Sequence, residues 1–160
     1  MTVHVVLAGR IEQALGDLER VVTRAEELLH KAQQYSDEGY LDGVALNLHG
    51  FYTGAERIFE DIARTLDETV PAGPDWHRDL LLQMSAAIEG VRPAAISPET
   101  RFCLDEYRGF RHVVRNVYTF NLRPLRIQEL TQNLRACYQR LNAELRDFAL
   151  FLRALDRSEP

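Results

Sequence analysis

From about Val3 to Tyr35 the apolar residues Ile11, Leu15, Leu18, Val22, Ala25 and Leu29 recur three and four positions apart, with charged residues between them. That spacing places them on one stripe of an α-helix and is incompatible with the two-residue period of a strand. The same period returns in Leu48, Tyr52, Ala55, Phe59, Ile62 and Leu66, and again in Leu130, Leu134, Tyr138, Leu141, Leu145, Phe148 and Leu152. No long segment alternates. A chain built from such stripes must bury helix against helix, so the expected class is all-α, an antiparallel up-down bundle of four to five helices.

Turn-forming residues divide the pattern. Ser36-Asp37-Glu38-Gly39 ends the first helix, and a second is expected from about Leu41 to Val70, stopping at Pro71-Ala-Gly-Pro74. Pro74 or Asp75 opens a third, with Leu80, Leu81, Met84 and Ile88 facing inward. Residues 91–97 read as a connector. Ser97 followed by Pro98 has the form of an N-cap with proline in the first helical position, which starts helix four near Pro98 and carries it to about Phe120. Asn121-Leu-Arg-Pro124 ends it, and a last helix runs from about Pro124 to Leu155. With 160 residues the chain is expected to form one domain over residues 1–157, with 158–160 as a frayed tail.

No apolar run approaches the roughly 18 residues that cross a bilayer, and the start lacks a basic segment and a cleavage site, so the expected location is the cytoplasm, with no membrane contact. In that compartment Cys103 and Cys137 are expected as small buried thiols rather than a disulfide. The net charge of −5 argues against generic binding of long nucleic acid. The charge is uneven, however: residues 101–126 hold six arginines against Asp105 and Glu106, a local +4 that leaves −9 on the remainder.

Common catalytic and cofactor signatures are missing. There is no glycine-rich phosphate loop, no zinc pair, no di-iron pattern and no nucleophile elbow, and the five histidines fall at spacings that put no two on one face of one helix. Neither a metal nor another cofactor is expected. The basic stretch is different. At about 100° per residue, Arg111, Arg115 and Tyr118 lie within roughly 60° of one another, with His112 and Asn116 on the adjoining strip and Phe110, Val113, Val114 and Val117 turned inward. Metal-free RNA cleavage needs a base for the 2′-hydroxyl, a cation for the phosphorane and an acid for the leaving oxygen. Arg111 and Arg115 qualify as phosphate ligands, and His112 is the local group that titrates near neutrality. The same strip is equally compatible with a solvated amphipathic helix.

Gly109-Phe-Arg-His-Val-Val-Arg-Asn-Val-Tyr118, preceded by Asn47-Leu-His-Gly-Phe-Tyr-Thr-Gly-Ala-Glu-Arg57 and Gly73-Pro-Asp-Trp-His-Arg-Asp-Leu-Leu81, resembles the HepT-like branch of the HEPN superfamily over roughly residues 40–125. The resemblance implies a small helical bundle that forms a homodimer and acts as the toxin of a toxin–antitoxin pair. It further implies a metal-independent ribonuclease with an Arg…His motif, and a nucleotidyltransferase antitoxin that attaches AMP to a tyrosine two residues beyond that histidine. On this chain the motif arginine is Arg111, followed by His112, and the tyrosine is Tyr118. Arg108 and Arg115 would add phosphate contacts. The motif histidine position holds Asn116, which cannot shuttle a proton. Two readings follow: His112 substitutes in a working nuclease, or the bundle binds RNA, nucleotide or a protein partner without turnover. A third makes the chain a helical adaptor whose arginines meet acidic surfaces. Tyr52, Glu56 and Arg57 have the spacing to brace Arg111 or Arg115, or to be a surface pair over a core tyrosine; Trp76 and His77 are expected to cap the bundle end, the alternative being an aromatic edge to a cleft.

Overall fold

The structure, a computed structural model, describes residues 1–118 and 121–158. Phe120, where the sequence places the end of helix four, and Glu159 and Pro160 of the expected tail lie outside the described residues. The described residues form five α-helices in order: α1 Val3–Tyr35, α2 Gly39–Ile62, α3 Trp76–Met84, α4 Pro98–Asn116 and α5 Pro124–Ser158. Among the described residues there is no strand, and no helix is long and apolar enough to cross a membrane.

The long helix α1 is the spine, packing against α2 on one side and α5 on the other. Its stripe Leu7, Ile11, Leu15, Leu18, Val22 and Ala25 is fully buried between them. The Thr2 hydroxyl accepts from Val5 N at its start, and Ser36 in the left-handed region at φ 49° ends it. The side chain of Asp37 then accepts from Gly39 N at 2.8 Å and begins α2 two residues earlier than the sequence suggests. α4 lies across α2 and α5. Its first turn is capped twice. Ser97 Oγ accepts from Thr100 N at 3.2 Å, and the Glu144 carboxylate from α5 accepts from Ser97 N at 2.8 Å and from the buried Thr100 hydroxyl.

Four expectations are corrected. α2 does not continue as an α-helix to Val70; beyond Ile62 it widens into a π-turn, Ala63–Asp67, closed by Glu68 at φ 54°. α3 ends at Met84, and Ile88 instead forms an isolated antiparallel bridge with Arg92 across a turn at Gly90, φ 78°. Residues 91–97 are more than a connector, because Arg92, Ala95 and Ile96 are buried in them. All five N–H groups of Arg92 are used: Nε and Nη2 bind the Asp67 carboxylate at 2.7 and 2.8 Å, and Nη1 and Nη2 reach the carbonyls of Ala86, Pro93 and Gln83. Asp67, the last residue of the π-turn, is held buried by these bonds at 2% exposure. Finally, Cys103 and Cys137 form a disulfide between α4 and α5, their Cα atoms 5.9 Å apart, because the packing of the two helices sets both thiols on one seam.

Candidate functional site

The last two turns of α4 form one wall of an open cleft of about 550 Å³. Arg108, Arg111, His112, Arg115 and Asn116 line it, and the opposite wall is Pro74, Asp75, His77 and Arg78, from the turn before α3 and its first residues. The helix is amphipathic up to this point: Leu104, Tyr107 and Phe110 are buried against the core, with Tyr107 Oη donating to the Leu130 carbonyl at 2.7 Å. Beyond Phe110 it runs out of core. Val114 is half-buried, but Val113 and Val117 are 43% and 39% exposed, against the expectation that both face inward.

The helix stops at Asn116, where Val117 turns extended (φ −131°, ψ 157°). Tyr118 therefore does not share the helical face of Arg111 and Arg115. It is 73% exposed on the segment after the helix, and its carbonyl accepts from Asn121 N at 2.9 Å. Of the expected site residues, the structure gathers Arg108, Arg111, His112, Arg115 and Asn116 in the cleft and leaves Tyr118 outside its lining.

The arginines are held differently. Arg108 Nε donates to Asp105 at 2.7 Å. Arg111 is half-buried, and its Nε is inaccessible to water and has no hydrogen-bond partner among the described residues. An unpaired donor of that kind costs about 1–3 kcal/mol. Arg115, His112 and Asn116 are exposed. The Asn116 amide nitrogen donates to the His112 carbonyl at 2.6 Å and lies 3.4 Å from His112 Nδ1.

Behind this wall α2 presents His49, Tyr52 and Glu56, a spacing that puts all three on one face of the helix. Burial, and then the charges of Arg111 and Arg115, hold the His49 imidazole below its ordinary value. Tyr52 is fully buried; its hydroxyl closes no hydrogen bond of standard geometry, and burial followed by the Glu56 carboxylate push it far above the usual phenol range, opposed by Arg108 and Arg111. Glu56 does not brace the arginines. Its carboxylate, 4% exposed, meets His77 Nδ1 at 2.7 Å, and Trp76 lies against the His77 ring with centroids 3.7 Å apart. His77 is thus a cleft residue rather than a cap. Arg57 points elsewhere, into the groove between α1 and α2.

The sequence reading missed His49 and the pairing of Glu56 with His77, although it had set Glu56 near the arginines and held a cleft edge as the alternative for His77. Three histidines on three helices adjoin the same arginines, which spacing within one helix cannot reveal; the His49, Tyr52, Glu56 face was the available signal. Among the described residues no three of His, Cys, Asp or Glu group as metal ligands.

No curated protein and no solved structure matches the chain. A family model described as "HepT-like protein" matches residues 43–152, a span that holds both walls of the cleft and well over half of the chain, and the protein therefore belongs to the HepT-like family.

Proposed function

We propose that this protein is the toxin of a HepT-like toxin–antitoxin pair, a metal-independent endoribonuclease that works as a homodimer and is restrained by a nucleotidyltransferase that attaches AMP to Tyr118. The observation that carries this reading is the cleft itself: Arg108, Arg111 and Arg115 beside His112, Asn116 and His77, on a chain of net negative charge. Guanidinium groups converging on one concave site suit a phosphodiester, and the imidazoles supply proton transfer. Arg111 is the phosphate ligand, set in the cleft lining between Arg108 and Arg115. A second copy facing this cleft would double the positive charge. Tyr118, 73% exposed and outside the cleft lining, suits modification by a partner enzyme.

RNA degradation in the presence of a chelator tests the nuclease. Wild type is expected to cut single-stranded RNA, and Arg111→Ala to lose about 100-fold or more; intact RNA after long incubation with wild type refutes it. The tyrosine role is separate: a co-purified nucleotidyltransferase with ATP should add one AMP mass to wild type and none to Tyr118→Phe.

One observation favours a second reading, a bundle that binds RNA or nucleotide without turnover: Asn116 stands at the motif histidine position and its amide is engaged with His112. Retained RNA binding with no product at any pH would select it.

A further inference from the structure

We infer that His77, oriented by Glu56, is the proton-accepting base of the cleft, and that Asn116 orients His112 in the opposite sense. The inference rests on the nuclease reading and deepens it. His77 lies on the wall opposite Arg108, Arg111 and His112. Its Nδ1 is committed to a buried carboxylate at 2.7 Å. A carboxylate accepts, so the bond makes Nδ1 the protonated nitrogen and leaves the Nε2 lone pair on the far edge of the ring. Trp76 against the ring face limits its rotation. A buried carboxylate whose hydrogen bond goes to a cleft-lining imidazole is costly to keep for packing alone, and this is the arrangement in which an acid orients a catalytic histidine.

His112 is set the other way. The 2.6 Å bond to the His112 carbonyl identifies the nitrogen end of the Asn116 amide, and that same nitrogen faces Nδ1 at 3.4 Å. With a donor facing Nδ1, the His112 proton sits on Nε2. One wall then offers a lone pair and the other an N–H, which are the two tools of transesterification. His77 Nε2 takes the proton of the ribose 2′-hydroxyl, and O2′ forms a bond to the adjacent phosphorus. The bond from phosphorus to O5′ breaks with its electron pair, and O5′ takes a proton from a water while the His112 Nε2–H steadies the departing oxygen by a hydrogen bond. The products are a 2′,3′-cyclic phosphate and a 5′-hydroxyl end. His77 has gained one proton and the water has become hydroxide, which takes that proton back and restores both. The guanidinium groups hold the phosphoryl oxygens throughout.

The alternative role for the Glu56–His77 pair is a staple holding α3 to α2, and His77→Asn separates the two. The asparagine amide overlays Nδ1, so the bond to Glu56 is kept while the titrating Nε2 is lost. The test is steady-state cleavage of a fluorophore-labelled single-stranded RNA oligonucleotide in chelator, from pH 5 to 9, with melting temperatures recorded in parallel. The titratable and charged groups around the imidazole are Glu56 from α2, Asp75 and Arg78 of its own segment, and Arg108, Arg111, His112 and Arg115, which line the same cleft from α4. The base role predicts a kcat about 100-fold or more below wild type, unchanged KM and melting, and loss of the acidic limb of the pH profile. Glu56→Gln is expected to keep that limb at a shifted pH, with kcat reduced about 10- to 100-fold. His77→Asn within about threefold of wild type, on an enzyme that cleaves, overturns the inference and leaves the nuclease reading standing. RNA untouched by wild type overturns both.

Discussion

Arg92 should be the most consequential single residue outside the cleft. Its side chain is fully buried, Asp67 is 2% exposed, and all five N–H groups are spent on one carboxylate and three carbonyls. Arg92→Met keeps most of the volume and leaves the Asp67 carboxylate with only the Gln83 amide, which donates at 2.7 Å. Removing one partner of a buried ion pair costs about 3–5 kcal/mol, because the other charge stays buried and uncompensated. That is a large share of the roughly 5–15 kcal/mol that holds a domain together. At about 2–4 °C per kcal/mol for a chain of this size, the melting temperature should fall by about 6–20 °C. The assay is guanidinium unfolding at fixed protein concentration, with Asp67→Leu and the double variant completing a cycle. The double variant should be less destabilised than the summed singles by about 1–3 kcal/mol. An Arg92→Met cost below about 1 kcal/mol with an unchanged denaturant slope would refute the reasoning, since it would mean that Asp67 finds water in the variant. The stake is functional as well: Arg92 ties the end of α2 to the end of α3, and α3 carries His77.

Capping of α4 gives a graded pair: Ser97→Ala should cost about 1 kcal/mol, and Glu144→Ala about 1–3 kcal/mol, because the buried Thr100 hydroxyl then has no acceptor; equal and negligible costs in urea unfolding would discount the double cap. Reducing the Cys103–Cys137 disulfide, which closes a sequence separation of 34 residues, should destabilise the fold by about 2–4 kcal/mol. A melt unchanged by reductant would speak against that linkage. His49 reports the field of the cleft. Its folded value lies below the unfolded one of about 6.5, so the neutral form is favoured in the fold; its contribution is intact above that pH and is lost as the pH falls below it. Arg111→Met and Arg115→Met should each move the His49 titration upward by nuclear magnetic resonance, and inorganic phosphate should do the same to wild type; a titration indifferent to both would show that burial alone sets it.

The limits of sequence reading are visible in α4. Its start was legible because a serine cap and a proline act within one turn, and the structure begins the helix at Pro98 as expected. Its end was not. Val113, Val114 and Val117 continue the apolar spacing, but helical order in β-branched residues depends on burial, and past Phe110 there is little core to bury them. The error moved Tyr118 off the arginine face. The site divides the same way. Arg111, His112, Arg115 and Asn116 share one helix and were found together, whereas His77 and Glu56 are 21 residues apart on different helices and become partners only through packing.

Taken alone, the sequence determined the class, the bounds of α1, the buried stripes and the arginine-rich wall, because each follows from periodicity or from interactions within a turn or two of chain. The tertiary structure alone decided that Arg92 lies buried beneath a π-turn, that Cys103 and Cys137 meet, and that a Glu56–His77 pair stands opposite the arginines. Those features rest on burial and on charges brought together across the fold, and their energies have no counterpart in local sequence spacing.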